Sequence, residues 1–522
     1  MPPVAYNAGL QADRSRLPCY TGANRVRIPF PERVPIDRVA VFAAVLFAIQ
    51  SYEGTAIYFS IGCVAFILLA AVAFNTAGGL SRTAGVYVFF YSLLVFIIGV
   101  TYKACLGEPA DSNLVDPQSD IEAYVGCIFS LLIAVLIARR FSRRTGLLQN
   151  LMKDSQMHRS SIGCMAFGVS GGFLIALLGE AAAKLNSAFT QLDQLIPLGI
   201  IIGVMYEIRR SGGTRSINTP TAIFAAFYFF NWGLLNFSKQ GILLPLLCWA
   251  LPVCAMRYRL TGVQVITGLM AAFLIFYYLF PFAQYGRDFR QDNASFSQNV
   301  TVAVPLLEHL QDTRQKYLEA TEGDVGKYYN TSQGFMDRLQ FISVDDGLIN
   351  ATDQGKVFGL WPIKAVFLNA VPHVIWPNKP DLRLGNTYAH EFTNIPADDT
   401  TTGISFSPTS EVYHWAKWVG VLVVAPLLWL MLFLVYDTLF GDLRASPWGL
   451  LVMAQISHSA PEGGINATIV AVTFGVETFV FCAFFATYLA PYFAIPILGP
   501  DRRVSAPQSS FRSLPHPTRE AP

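Results

Sequence analysis

Long continuous runs of Leu, Ile, Val, Phe and Ala recur along the chain and are separated by short polar connections. The runs do not alternate apolar and polar residues, so the pattern favours membrane-spanning helices over the strands of a membrane barrel. Many runs approach the roughly 20 residues that a helix needs to cross a bilayer. The twelve predicted spans are residues 39–53, 55–75, 84–103, 121–139, 161–182, 195–208, 218–236, 240–256, 262–282, 415–438, 447–460 and 466–490.

One long polar stretch breaks this pattern between the ninth and tenth spans. It is rich in Arg, His, Asp and aromatic residues, and apolar runs lie on both sides of it. The sequence therefore predicts an all-α polytopic membrane protein of about 12 transmembrane helices with one large insert that carries its chemistry. The predicted regions are an N-terminal segment 1–38, transmembrane helices 1–9 at 39–282, the insert at 283–414, transmembrane helices 10–12 at 415–490 and a disordered tail at 491–522.

The positive charges predict the side of the membrane on which each connection lies, because Lys and Arg are enriched in short cytoplasmic loops. Arginines cluster in alternate connections, most densely at 139–159, whereas the connection at 104–120 is acidic. This asymmetry predicts that both termini are cytoplasmic and that the insert lies on the outer, periplasmic side. Residues 1–37 contain no apolar core with a small-residue cleavage site, so we expect no signal peptide.

The composition narrows the class of protein further. The chain of 522 residues is 53% hydrophobic and only 14% charged, which is too apolar for a soluble protein of this length. A net charge of +2 gives no reason to expect a nucleic-acid partner. The eight cysteines show no metal-ligand spacing, so neither a disulfide framework nor a zinc site is expected. Phosphate-binding loops, dinucleotide fingerprints and nucleophile elbows are missing from the sequence, which argues against nucleotide-driven chemistry, and we expect no cofactor.

The insert carries three kinds of chemically useful side chain. Guanidinium groups match phosphate oxygens two at a time, and imidazole, carboxylate and phenol groups can activate or position a hydroxyl. The predicted phosphate-binding residues are Arg338, Arg383, Arg287, Arg290 and Lys379. The predicted catalytic residues are Glu411, His390 and Tyr413. The aromatic residues predicted to stack on sugars or to anchor the insert at the membrane interface are Trp376, Tyr388 and Trp415.

Each of these residues also has a plainer interpretation. An arginine can form a structural salt bridge, and Lys379 can reach from an apolar site towards the lipid headgroups. Glu411 precedes a predicted span, and the helix dipole favours a negative charge at the start of a helix. His414 is a further possible base. Asp345 and Asp346 are adjacent acids, and we interpret them as solvated turn residues rather than as part of a metal cage.

Two motifs in this region carry a resemblance to a known family. Arg338 is followed by Pro372, Trp376, Pro377, Lys379, Pro380 and Gly385, and then by Gly403, Glu411, Tyr413 and Gly420 at the entry to a span. A many-helix protein with this pattern in one late outer insert resembles the bacterial Wzy-type polymerases of O-antigen and exopolysaccharide, which are related to the O-antigen ligases. The resemblance covers mainly residues 330–425.

The resemblance implies glycosyl transfer on lipid carriers in the bacterial inner membrane. The donor and the acceptor would both be oligosaccharides on undecaprenyl diphosphate, and a flippase and a chain-length regulator are implied as possible partners. Because the leaving diphosphate gains negative charge, arginines that contact it would stabilise the transition state without a metal ion. The resemblance thus implies a metal-independent membrane glycosyltransferase that polymerises polysaccharide repeat units.

Two rival interpretations stay open at this stage. An O-antigen ligase would share the donor and differ in the acceptor. Another glycosyltransferase of the same membrane class would use a polyprenyl monophosphate sugar and place an acidic base in the first outer loop, where this chain offers only Glu53. A transporter or flippase of lipid-linked oligosaccharides would not be an enzyme, and it would place its polar groups at the middle of the membrane. The position of the polar residues in the insert favours the enzyme.

Overall fold

The computed structural model describes residues 25–143, 145–178, 192–286, 296–321, 339–359, 361–370, 376, 384–392 and 403–499. This part of the chain is almost entirely helical. Its helices are α1 (Ile36–Glu53), α2 (Ile57–Ala77), α3 (Thr83–Leu106), α4 (Pro117–Phe141), α5 (Met157–Leu178), α6 (Leu195–Arg210), α7 (Thr219–Tyr228, continued by a wider helical turn at Phe229–Leu234), α8 (Lys239–Ala255), α9 (Gly262–Gly286), α10 (Phe296–Glu308), α11 (Leu310–Thr321), α12 (Ile342–Asp353), α13 (Trp361–Ala370), α14 (Leu384–Phe392), α15 (Pro408–Phe440), α16 (Pro447–Glu462), α17 (Asn466–Phe493) and α18 (Ile495–Leu498).

Each of the twelve predicted spans falls on a helix, within the residues that the structure describes. Their helical character is therefore confirmed. Six of these helices, namely α2, α3, α4, α9, α15 and α17, are long and apolar enough to cross a membrane. The protein is thus a helical membrane protein, while a total of twelve spans and an outer position of the insert stay predictions.

Three of the long helices begin with the same local device. Asp116, Ser407 and Ser446 each precede a proline at the first helical position. Their side chains accept backbone N–H groups of the first turn at 3.1–3.2 Å. Proline suits this position because its fixed φ is helical and its missing N–H would have had no partner there. The polar cap satisfies donors that the helix start would otherwise leave unpaired.

Most of these helices share one large apolar core. Helix α2 packs against α1, α3 and α4, whereas α5 and α6 form a second tight pair, and α16 contacts α3, α6 and α8. Trp429 and Trp448 are completely buried in this core, together with Tyr91. Burying aromatic side chains of this size supplies a large share of the apolar contact area.

The insert contributes helices of its own. Helical periodicity predicts a helix over residues 302–319, and the structure forms α10 and α11 over this stretch. Leu306 of α10 and Leu310 of α11 pack against Phe237 and Phe282, next to the end of α9. Helix α12 packs against α4 and the start of α15. The start of α15 therefore lies between transmembrane helices and the helices of the insert.

Two three-residue strands form an antiparallel ribbon outside the helical bundle. Strand β1 (Arg25–Arg27) precedes α1, and strand β2 (Arg259–Thr261) directly precedes α9. The side chain of Thr261 accepts the N–H of Gln264, and the Gln264 side chain accepts the N–H of Thr261. This reciprocal cap fixes the direction in which α9 leaves the ribbon.

Candidate functional site

The centre of the candidate site is the first turn of α15. Asp345 of α12 is completely buried and receives hydrogen bonds from three side chains. Its Oδ1 accepts the Ser410 hydroxyl at 2.6 Å and the Ser407 N–H at 3.0 Å. Its Oδ2 accepts the hydroxyls of Ser407 and Tyr124. One carboxylate therefore joins α4, α12 and α15.

The neighbouring carboxylate has a similar structural task. Asp346 is 4% exposed, and its two oxygens accept the backbone N–H groups of Val115 and Asp116, each at 2.8 Å. These groups lie directly before α4. The expectation that Asp345 and Asp346 are solvated turn residues is therefore wrong, because both lie on a helix and are buried against donors from other parts of the chain.

Glu411 lies one turn into α15 and is also buried. Its Oε2 accepts the Asn466 N–H at 3.0 Å, and its Oε1 accepts the Tyr388 hydroxyl at 3.3 Å. Trp415 in turn donates its Nε1–H to the Tyr388 oxygen at 3.3 Å. The chain of hydrogen bonds from Trp415 through Tyr388 to Glu411 connects α14 with α15 and with the start of α17.

The backbone leaves room for this carboxylate at Gly464. This residue has φ +60°, and a Cβ atom added to it would overlap Glu411 Oε2. Glycine is favoured here for both reasons, since it adopts the left-handed conformation without strain and lacks the colliding atom. The turn before α17 is therefore shaped around the Glu411 side chain.

Helix α15 is broken at Ala416 and Lys417, just after the turn that carries Glu411. Ala416 has φ −156° and ψ 29°, and Lys417 has φ 48° and ψ −134°. A left-handed φ is uncommon for a lysine and costs energy that the surroundings must offset. Asp353 of α12 lies beside the break, where its Oδ1 accepts the Tyr413 hydroxyl at 2.8 Å and lies 3.6 Å from Lys417 Nζ. Asp353 thus holds both sides of the break.

His414 points away from solvent into an aromatic cage. Its Nδ1 lies 2.8 Å from Thr352 Oγ1, which donates its only hydrogen to the Leu348 carbonyl at 2.6 Å. Nδ1 must therefore carry the hydrogen, and Nε2 carries the lone pair. The ring centroids of Phe358 and Phe392 lie 4.6 Å and 5.3 Å away, and Nε2 has no hydrogen-bond partner among the described residues. In this arrangement His414 packs as a core residue.

An open groove of about 440 Å³ lies between α12 and α14 and is lined in part by Phe392. Leu348, Phe392 and Phe406 contribute apolar surface to it, and Lys356, His390 and Glu391 contribute polar groups. His390 is exposed, in contrast to His414. Apolar walls with a few polar groups are typical of small-molecule sites.

Burial raises the pKa of two side chains of the site, Asp345 and Tyr388. The pKa of Asp345 is raised to about 6, because loss of solvent outweighs the hydrogen bonds from Ser407, Ser410 and Tyr124 that stabilise its anion. The pKa of Tyr388 is raised by burial and then by the adjacent Glu411 carboxylate. No Lys or Arg of the described segments forms an ion pair with Asp345 or Glu411. Hydrogen bonds therefore replace counter-ions in this site.

The structure brings together some of the predicted site residues and separates others. Glu411, Tyr388 and Trp415 form one hydrogen-bonded chain, Tyr413 belongs to the Asp353 cluster, and His390 lines the groove. Trp376 is 38% exposed. All five of the predicted phosphate-binding residues lie outside the described residues, namely Arg338, Arg383, Arg287, Arg290 and Lys379.

The structure also adds residues that sequence reasoning did not select. Ser407, Ser410 and Tyr124 define the environment of Asp345, and Asp353 holds the break in α15. The Ser-Pro start of a helix is a visible signal for Ser407. No local signal marks Tyr124, because it lies in a transmembrane run 221 residues before Asp345.

The hydrogen-bonded side chains of the site can orient neighbouring groups, and its ionisable side chains can exchange a proton. Across the described ranges, no group of three or more His, Cys, Asp or Glu side chains is placed to hold a metal ion.

Comparison of the chain with known protein families, curated proteins and solved structures finds no match.

Proposed function

We propose that the protein is a membrane glycosyltransferase that polymerises oligosaccharide units carried on undecaprenyl diphosphate. The supporting observation is that motif residues far apart in sequence meet in space. The Ile404 N–H donates to the Gly385 carbonyl at 3.0 Å, which joins the two motifs that carry the resemblance. Glu411 of the second motif contacts Tyr388, three residues after Gly385.

The structure also explains why the second motif has a glycine at position 420. A Cβ atom at this position would overlap the Val412 carbonyl oxygen, so only glycine permits the observed approach across the break in α15. The motif residues thus shape the turn that carries Glu411. This agreement between motif and geometry supports the proposal.

In the proposed reaction the acceptor sugar binds in the groove beside His390. An acceptor hydroxyl oxygen forms a bond to the anomeric carbon of the donor glycan. The bond from that carbon to the lipid diphosphate oxygen breaks, and the lipid diphosphate leaves with the electron pair. His390 takes the hydroxyl proton, because it is the exposed imidazole of the groove.

Glu411 acts in this proposal by positioning. Both of its oxygens already accept hydrogen bonds, so it holds α14 through Tyr388, two residues before His390. Arg338 and Arg383 are proposed to bind the leaving diphosphate, as the resemblance implies. Preorganised donors of this kind stabilise the charge that develops as the lipid diphosphate departs.

The test is an assay of the purified full chain with lipid-diphosphate-linked repeat units. We expect a ladder of glycan lengths and release of lipid diphosphate with the wild-type protein, and loss of both with Arg338→Ala. Arg140→Gln is the matched control, because it removes an exposed arginine at the far end of α4. Release of lipid diphosphate without a ladder would favour a ligase or a hydrolase. Movement of the lipid-linked unit across vesicles without any release would favour a transporter.

A further inference from the structure

The ribbon of β1 and β2 concentrates arginines of like charge. The strands pair so that Arg27 lies directly opposite Arg259. Arg257 is two residues before β2 and adopts φ 59°, a left-handed conformation that is uncommon for arginine. Like charges opposite each other weaken a strand pair, and a left-handed arginine adds strain. The ribbon therefore holds three cations in an arrangement that the chain alone does not favour.

None of these three arginines is neutralised within the described part of the chain. Arg27, Arg257 and Arg259 are exposed, and no carboxylate of the described residues forms an ion pair with them. The pKa of Arg27 is lowered, first by partial burial and then by the neighbouring Arg257 and Arg259. The three positive charges thus act on one another, and an anion placed between them would relieve this repulsion.

The ribbon is a fixed platform rather than a loose segment. Between Arg257 and Arg259, Tyr258 is buried and its hydroxyl donates to the Thr214 carbonyl at 3.3 Å. Leu260, on the same side, is 5% exposed. Alternation in β2 then directs Arg259 outwards, and Arg27 lies directly opposite it on the paired strand. Guanidinium forks held in this way match phosphate oxygens.

The position of the ribbon indicates the source of the phosphate. Strand β2 runs directly into α9, which is long and apolar enough to cross a membrane. The first part of α9, Gly262–Leu274, has no buried residue, and Val263, Ile266 and Leu269 are each more than 60% exposed. Such a face is suited to lipid chains. In a membrane-spanning α9, the arginines would lie where the helix leaves the apolar region, at the depth of lipid headgroups.

We propose that Arg27, Arg257 and Arg259 form a binding site for the phosphate headgroup of an anionic membrane lipid, whose acyl chains lie along the exposed face of α9. The site is independent of the proposed transferase reaction. It would fix the N-terminal segment to the membrane surface through β1.

The test uses the full chain in phosphatidylcholine vesicles with increasing phosphatidylglycerol, with the thermal midpoint as readout. We expect anionic lipid to stabilise the wild type, and Arg27→Gln/Arg259→Gln to weaken the apparent affinity by roughly tenfold or more. Arg139→Gln/Arg140→Gln is the matched control, since it removes two exposed arginines from the end of α4. Its lipid response should stay unchanged.

A second variant separates lipid binding from folding. Arg257→Gly removes one cation and places glycine at a left-handed position, so we expect equal or higher stability in pure phosphatidylcholine and a weaker response to phosphatidylglycerol. Equal losses in the ribbon and control variants would overturn the proposal in favour of diffuse charge attraction. Stabilisation by millimolar inorganic phosphate in pure phosphatidylcholine, equal to that by the anionic lipid, would also overturn it and indicate a soluble phosphate ligand.

Discussion

Glu411 and Asn466 are 55 residues apart, yet the Glu411 Oε2 atom accepts the Asn466 N–H at 3.0 Å. This contact joins the first turn of α15 to the first residue of α17. Glu411 is 3% exposed, and its carboxylate satisfies a partly buried backbone donor that would otherwise have no partner. Two predictions depend on it.

Replacing Glu411 tests whether its carboxylate is needed for structure or for catalysis. We expect Glu411→Ala to lower the free energy of unfolding by about 3 kcal/mol, because it leaves buried donors unpaired and creates a cavity. Glu411→Gln keeps one acceptor oxygen and should cost only about 1 kcal/mol. Thermal unfolding in neutral detergent measures both. If Glu411→Gln folds as stably as expected and has lost all transferase activity, the carboxylate acts in the reaction and not only in positioning.

Gly464 should be sensitive to a single added methyl group. Gly464→Ala introduces a Cβ that overlaps Glu411 Oε2 at a left-handed backbone position, so we expect a loss of roughly 1–3 kcal/mol. Gly268→Ala is the matched control, because no atom lies within 4 Å of a Cβ added there. It should be neutral or slightly stabilising, since alanine favours a helix more than glycine does. Equal effects at the two positions would show that Gly464 is not shaped around Glu411.

Asp345 should make stability depend on pH. Its pKa rises from the ordinary value of 3.8 to about 6 in the folded protein, because burial disfavours the anion. The folded state therefore binds the proton more tightly than the unfolded chain. The stability from this proton is fully present below about pH 3.8 and is lost as pH rises through about 6, with an amplitude on the order of 3 kcal/mol.

The measurement is the unfolding midpoint of the wild type and of Asp345→Asn across this range. Asparagine does not titrate, so the difference between the two proteins isolates Asp345 from other ionisable groups. We expect the wild type to lose stability relative to the variant between pH 4 and pH 6 and the difference to become constant at higher pH. Parallel curves would show that Asp345 has the same protonation in the folded and unfolded states.

The helical segments were predictable because the physics that defines them is local. A run of about 20 apolar residues satisfies its backbone only as a helix in lipid, and neighbouring sequence contains all of that information. The same holds for helix starts such as Ser407-Pro408. The cap residue and the proline act within one turn, so their sequence order predicts their structure.

The environment of the acids in α12 was not predictable in this way. Asp345 is buried because Ser407, 62 residues later, and Tyr124, 221 residues earlier, supply its donors. Adjacent acids in a polar stretch have the pattern of a solvated turn when these distant partners are unknown. The break at Ala416 and Lys417 is similar, since neither residue breaks helices, and Asp353 of another helix holds it.

The left-handed conformation of Lys417 predicts which of two variants at this position is the more stable. Lys417→Gly should relieve backbone strain of about 1 kcal/mol or more, whereas the ion pair with Asp353 that it removes is partly exposed and worth less. Lys417→Ala loses the same ion pair without relieving the strain. We therefore expect the glycine variant to be more stable than the alanine variant, measured by thermal unfolding. The opposite order would indicate that residue 417 is helical, because alanine is the better helix former.

The two histidines near Phe392 provide the final prediction, because they differ in exposure. His390 lines the open groove, whereas His414 is enclosed by Phe358 and Phe392 and leaves Nε2 without a partner in the described structure. We expect His390→Gln to reduce glycosyl transfer by about 100-fold or more while stability changes by no more than about 0.5 kcal/mol.

We expect His414→Phe to behave in the opposite way. Phenylalanine fills the aromatic cage and removes an unpaired polar atom, so its stability should lie within about 1 kcal/mol of the wild type and most activity should persist. Thr352 still donates to the Leu348 carbonyl in this variant, so no new buried hydroxyl is left unpaired. Loss of transfer in His414→Phe with full activity in His390→Gln would reverse the assignment: substrate would then have to reach Nε2 past Phe392, and His414 would be the base.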